Sequence, residues 1–202
     1  MIPDHSRWEE LARCAHGVLE HAGAARATAQ IADWPAFGQP RPITPRRLAV
    51  LQWLPQAAGA APPGPLRELA LLVQQASGAL AWRQSYQASQ LSAQFLARYG
   101  WCEIFGLCGP LPCARLACGV LLLGPETVYP PHGHQAEEIY VPLSGRAEWS
   151  RAGAPFELRS PGELIVHRSY EPHAMRTNSE PLLALYVWHG AGLAQSAQLQ
   201  PS

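Results

Sequence analysis

Two histidines one residue apart, His132 and His134, are followed four residues later by Glu138 and two residues after that by Tyr140, all within Tyr129 to Gly145. In a β-strand, residues of equal parity point to one face. His132 and His134 can therefore project together, and Glu138 and Tyr140 can do likewise after a short link through Gln135, Ala136 and Glu137. Two imidazoles and a carboxylate suit a borderline divalent ion such as zinc, iron, manganese or nickel. The stretch reads as a metal site with a phenol beside it.

The chain that must position these groups has 202 residues, enough to bury a substantial core without staples. Its formal charge is zero, from fifteen arginines and no lysine against fifteen carboxylates, so no basic stripe exists for nucleic acid or an anionic membrane. The five cysteines contain no C-x-x-C pair, which argues against a disulfide framework or a zinc ribbon and fits buried thiols in a reducing cytoplasm. The first residues lack the charged-then-apolar profile of a signal peptide, and no apolar run approaches the roughly 20 residues that span a bilayer. The expectation is a soluble, cytoplasmic protein.

The first hundred residues carry helical periodicity. Ser6-Arg7-Trp8-Glu9 forms a capping box, and Trp8, Leu11, Ala15, Val18 and Leu19 place a helix over about 7–21. Thr44-Pro45 predicts a helix start leading through Leu48, Leu51 and Leu54, and Pro65 another through Leu66, Leu69, Leu72 and Val73. Leu80, Leu91, Phe95 and Tyr99 continue the pattern from Ala79 to Arg98, with Gly100 as a left-handed closing residue. On that reading Trp82 and Tyr86 lie one helical turn apart, as core packing.

After Gly100 the period changes to that of strands, near 101–105, 116–123, 138–143, 147–150, 156–158, 163–167 and 182–189. Turns at Ser144-Gly145, Ala152-Gly153 and Ser160-Pro161-Gly162 separate several of them. This half is an antiparallel β-barrel or jelly roll. The fold class is α+β, with a helical region over 1–100 and a barrel over 101–202. The helical half carries no chemistry-bearing cluster, so its role is to pack on the barrel, close one mouth of it or form a homodimer interface.

The layout H-x-H-x-x-x-E-x(6)-G from His132 to Gly145, followed by the proline-turn histidine His173, resembles the two motifs of the cupin superfamily. Four strings narrow the resemblance: Y-P-P-H-x-H-x-A-E-E-I-Y from Tyr129 to Tyr140, H-A-M-R-T at His173 to Thr177, P-L-L-A-L-Y-V-W at Pro181 to Trp188, and W-R-Q-S-Y at Trp82 to Tyr86. Together they are similar to the cupin-type dimethylsulfoniopropionate lyases. That resemblance implies a double-stranded β-helix holding one divalent metal on His132, His134, Glu138 and His173. It also implies β-elimination, in which a base removes the proton next to the substrate carboxylate, dimethyl sulfide leaves and acrylate remains.

Within that scheme Tyr140 is the general base, since a nearby cation favours phenolate over a phenol of ordinary pKa near ~10, and Tyr129 is a second candidate catalytic tyrosine. The metal acts as a Lewis acid on the substrate carboxylate. Aromatic faces can hold the sulfonium without a carboxylate partner, and Tyr129, Tyr186 and Trp188 are the candidates. Tyr186 and Trp188 alternate with Leu185 and Val187, and parity alone leaves open which pair faces inward. Glu137 should point away from the site, and His167 and His189 read as structural. Two other readings stand beside the lyase: an iron-dependent cupin dioxygenase using the same ligands, and a non-enzymatic cupin that binds a small ligand.

Overall fold

The computed structural model describes residues 4–24, 31 and 34–200. Helix α1 (Asp4–His21) is followed by a 3-10 turn (Ala49–Trp53), α2 (Leu54–Ala60), α3 (Pro65–Ala76) and the short α4 (Ala93–Ala97). Strands then run almost without interruption: β1 (Tyr99–Gly106), β2 (Leu111–Pro112), β3 (Leu116–Leu123), β4 (Val128–Gly133), β5 (Glu137–Ser144), β6 (Ala147–Arg151), β7 (Glu157–Arg159), β8 (Ile165–His167), β9 (His173–Thr177), β10 (Leu182–His189) and β11 (Gln198–Leu199). The chain is thus α+β, as its two hydrophobic periods imply. Among the described residues no helix is long and apolar enough to cross a membrane.

The strands form two sheets, a six-stranded one in the order β2-β1-β3-β10-β5-β8 and a five-stranded one in the order β11-β4-β9-β6-β7. Side-chain parity in the larger sheet sorts its residues into two cores. Cys102, Ile104, Val120, Leu122, Ile139, Val141, Leu185 and Val187 pack in one cluster with Leu11, Val18, Leu69 and Val73 of the helices. The intervening residues Tyr99, Leu121, Tyr140, Ala184 and Tyr186 pack in a second cluster with Tyr129, Trp149 and Met175 of the smaller sheet. The larger sheet is therefore buried on both faces, which is why β3 reads as an unbroken apolar run, and the inner face looks into the space between the sheets. Leu185 and Val187 face the helices, so Tyr186 and Trp188 face inward.

Several helical expectations give way to pairing. Helix α1 begins at Asp4, so Ser6 and Glu9 lie inside its first turns instead of capping it. Thr44-Pro45 opens no helix: Arg46 N donates to Leu80 O at 3.1 Å and Trp82 N to Arg46 O at 3.1 Å, and the helical turn begins only at Ala49. Residues 79–92 are largely irregular, because Arg83 and Trp101 exchange both backbone hydrogen bonds, at 2.7 and 3.0 Å. Those peptide groups are then unavailable to a helix. Only Ala93–Ala97 coils, with the Ser92 hydroxyl accepting from Phe95 N at 3.1 Å. Trp82 and Tyr86 consequently do not share a helix face.

Gly100 is not a left-handed cap but a member of β1, where a Cβ would meet the side-chain ends Leu48 Cδ1 and Val50 Cγ1 at 2.9 Å. Gly119 in β3 is tighter, since its Cβ would lie 1.9 Å from the Cys102 carbonyl oxygen and 2.8 Å from the Tyr186 hydroxyl. A flexible side chain can yield where a paired backbone carbonyl cannot. Gly100→Ala should cost about 1–3 kcal/mol and leave a folded protein, whereas Gly119→Ala should cost more than about 4 kcal/mol. Thermal unfolding of the two variants tests this, and a Gly119→Ala protein melting with the wild type would contradict it.

Candidate metal centre and its cavity

Strands β4, β5 and β9 bring the candidate ligands together. Pro130 and Pro131 offer no N–H to a ladder, and the β4–β9 register slips between Tyr129 and His132, which sets His132 directly opposite His173. The chain leaves β4 at His134 and re-enters the larger sheet at Glu137, so Glu138 and Tyr140 both face inward from β5. The ligand atoms of His134, Glu138 and His173 lie within 4.8 Å of one another, and all three residues are buried. His132, 1% exposed, stands alongside that group, its ring centroid 4.2 Å from His173.

The tautomers follow from hydrogen bonding. His132 Nδ1 lies 2.9 Å from Pro130 O, His134 Nδ1 2.8 Å from Ala136 O, and His173 Nδ1 2.9 Å from Glu171 O. A carbonyl oxygen only accepts, so each Nδ1 carries a proton, and in the neutral ring each Nε2 is then a lone pair. His134 Nε2 then sits 2.9 Å from Glu138 Oε2, and His173 Nε2 3.3 Å from the same oxygen. His173 Nε2 has no hydrogen-bond partner among the described residues. Lone pairs aimed at lone pairs at these distances require a cation or a proton between them, and two imidazoles with a carboxylate fit a divalent transition metal.

Electrostatics agree. Burial opposes ionisation of Glu138, but the charge and hydrogen bond of His134, with His173 behind it, outweigh burial and hold the carboxyl well below its usual range. For His134, burial works against a charge, yet Glu138 overrides it and raises the imidazole. His132 is held well below its ordinary value, by burial first and His173 second. Tyr140 is pushed well above the usual phenol range, by burial first and by the nearby Glu138 carboxylate second.

Trp188 donates Nε1–H to Glu138 Oε1 at 2.7 Å, and its ring lies 4.0 Å from that of His134. It therefore orients the carboxylate as well as lining the cavity. Tyr129 stacks on His132 with centroids 3.8 Å apart and planes 6° apart. Its hydroxyl is 3.0 Å from that of Tyr86 and 3.4 Å from that of Tyr99. Tyr99 continues to Ser85 Oγ at 3.0 Å, where Trp101 Nε1 donates at 3.0 Å.

Ser85, Tyr86, Tyr99 and Trp101 come from the irregular segment and β1; Ser85 and Tyr86 belong to the W-R-Q-S-Y string, but Tyr99 and Trp101 carry no sequence signal that links them to the histidines. His167, read as structural, is fully buried against the cluster, stacked on His173 at 4.0 Å and held neutral by burial, which lowers its pKa to about 3. Glu137 is exposed, as its parity suggests, and lies 3.4 Å from His189 Nδ1, away from the group. A cavity of about 300 Å³ opens over these residues, lined by His132, His134, Glu138, Tyr140 and Tyr129 among others.

Two facing sheets with a buried His-His-Glu group on their inner surface define a cupin-type barrel with a candidate metal centre. The sequence model of the dimethylsulfoniopropionate lyases matches residues 24–184, and the chain belongs to that family. It is 41% identical over 116 residues to dimethylsulfoniopropionate lyase DddQ of Ruegeria pomeroyi, a match covering 57% of this chain and 58% of that protein's length. Among solved structures it is similar to one from a crystallographic study of the dimethylsulfoniopropionate lyases RdDddP and RnDddQII, with a TM-score of 0.86 and 28% identity over 98% of this chain and all of the other. The DddQ structure from Ruegeria pomeroyi DSS-3 superposes with a TM-score of 0.76 and 29% identity, covering 93% and 96% of the two chains.

Protein stripped by a chelator should take up one equivalent of a divalent transition metal per chain, read by metal analysis and calorimetry. His173→Ala should abolish that uptake. Trp188→Phe, which removes the donor to Glu138, should weaken it by about 10–100-fold. Unchanged affinity in Trp188→Phe would contradict the orienting role.

Proposed function

We propose that the protein is a metal-dependent lyase that cleaves dimethylsulfoniopropionate to dimethyl sulfide and acrylate by β-elimination, with Tyr140 as general base. The observation that carries this reading is a buried phenol two residues along β5 from the carboxylate of a His-His-Glu group, on the wall of the same cavity, in a chain of this family. The relatives named above are lyases of that compound.

His134, Glu138 and His173 would hold the ion, with His132 alongside as the fourth ligand. When bound, a divalent cation supplies positive charge that offsets Glu138 and a Lewis-acid partner for the substrate carboxylate. The chain's own residues supply the rest. Three backbone carbonyls fix the imidazole tautomers, and Trp188 fixes the Glu138 carboxylate. Tyr140, freed of its proton, takes the hydrogen on the carbon next to the substrate carboxylate.

The electron pair of that C–H bond becomes the new C=C bond, and the pair of the C–S bond leaves on sulfur as neutral dimethyl sulfide. Tyr129, held between the His132 ring and the Tyr86 and Tyr99 hydroxyls, is placed to steady the substrate or relay the proton onward. Burial of Tyr140 limits the water that can compete for the phenolate. The helical region over 1–100 serves as the outer layer that keeps the inner face of the barrel over 101–202 in register.

Metal-loaded protein incubated with dimethylsulfoniopropionate should release dimethyl sulfide and acrylate in equal amounts, with or without oxygen. Tyr140→Phe should lower kcat by about 10²–10⁴-fold while retaining metal and fold. Wild-type turnover in Tyr140→Phe would overturn the base assignment, and a strict need for oxygen would favour a dioxygenase.

A further inference from the structure

Glu103 is a second carboxylate on the cavity wall, and neither the metal group nor the proton transfer uses it. It sits at the bulge in β1, only 8% exposed, and lines the same cavity as Glu138 and Tyr140. Its Oε2 accepts from Cys108 N at 2.7 Å and Gly109 N at 2.8 Å. Both donors are neutral. Arg41 grips the same turn through the Gly106 and Gly109 carbonyls. Two backbone amides thus hold this carboxylate in place on the cavity wall.

Its place in the sheet gives that carboxylate a purpose. Glu103, Gly119, Tyr186 and Tyr140 form one row across β1, β3, β10 and β5. Because residue 119 has no side chain, the Tyr186 hydroxyl lies over it toward Glu103, 2.8 Å from where a Cβ would stand. The proximity is also felt electrostatically, since Tyr186 is raised first by burial and next by the Glu103 charge. Trp101 completes a corner with Tyr186, the rings 6.4 Å apart with planes at 84°. Tyr186 in turn stands 6.5 Å from Tyr140. One end of the row is Tyr140, two residues along β5 from Glu138 of the proposed cation-holding group, and the other is the Glu103 carboxylate, with Trp101 and Tyr186 beside it.

We propose that Glu103, Trp101 and Tyr186 form a subsite for the positively charged end of a zwitterionic carboxylate, so that the cavity selects its substrate by charge at both ends. This rests on the lyase reading only for the identity of the cation, a dialkylsulfonium. Glu103 is a specificity residue and not a catalytic one. It stabilises the sulfonium of the bound substrate, whose charge fades as neutral sulfide departs, so its contribution is to binding and not to the chemical step.

The direct test compares two uncleaved isosteres that differ by one charge, 3-(trimethylammonio)propionate and 4,4-dimethylpentanoate, binding to the metal-loaded protein by calorimetry. The wild type should prefer the cationic one by roughly tenfold or more. Glu103→Gln should erase that preference while leaving the affinity for the neutral compound unchanged. In turnover, the same variant should raise KM for dimethylsulfoniopropionate without lowering kcat.

Equal binding of the two isosteres by wild type would overturn the proposal with no variant needed. A preference that survives Glu103→Gln would assign it to the aromatic rings and remove Glu103 from the subsite. The two readings fail separately. Wild type that discriminates between the isosteres but does not cleave the sulfonium compound keeps the subsite and loses the lyase, and the opposite pair of results keeps the lyase and loses the subsite.

Discussion

The structure turns on an arrangement of lone pairs. Three histidines each commit Nδ1 to a backbone carbonyl two residues away, which leaves Nε2 of His134 and His173 facing a single oxygen of Glu138. Buried acceptors with no donor between them are costly, and the cost is removed when a cation occupies the gap. The group is therefore built for a positive charge. The residues nearby hold that geometry: Trp188 fixes the second Glu138 oxygen, and Tyr129 and His167 stack on the rings of His132 and His173.

Holding three strands at this precision depends on the larger sheet having no solvent face. Its outer residues lock into the helices and its inner residues meet the smaller sheet, so a one-residue slip in β5 would exchange Ile139 and Val141 with Glu138 and Tyr140. Such a slip would bury two polar side chains among the leucines of the helices. Register is thereby fixed by the hydrophobic effect on one side and by the polar group on the other. The helical half carries no ligand of its own, but it supplies half of that constraint.

Much of this was legible in the sequence, for local reasons. His132, His134, Glu138 and Tyr140 are neighbours in the chain, and their spacing already carries their geometry. Strands such as Leu116–Leu123, Glu137–Ser144 and Leu182–His189 announce themselves through apolar runs and turn residues, whereas Val128–Gly133, with two prolines, and His173–Thr177 carry no such run and were not among the expected strands. What was hidden was set by long-range pairing. Leucines at helical spacing in 79–98 gave a helix that backbone bonds between Arg83 and Trp101 forbid, and with it was lost the chain from Trp101 through Ser85 and Tyr99 to Tyr129. The inward direction of Tyr186 and Trp188 needed the second core to be seen. Glu103 and His167 carry no motif, and their importance comes only from where the sheets place them.

The claim on which the account rests is that the His134–Glu138–His173 group holds a metal ion. Crystals of protein loaded with one divalent transition metal, measured at that metal's absorption edge, test it most directly. The account predicts an anomalous peak about 2.0–2.2 Å from His134 Nε2, His173 Nε2 and a Glu138 oxygen. Loaded crystals with no peak there, and with the His134–Glu138 contact still at 2.9 Å, would contradict it.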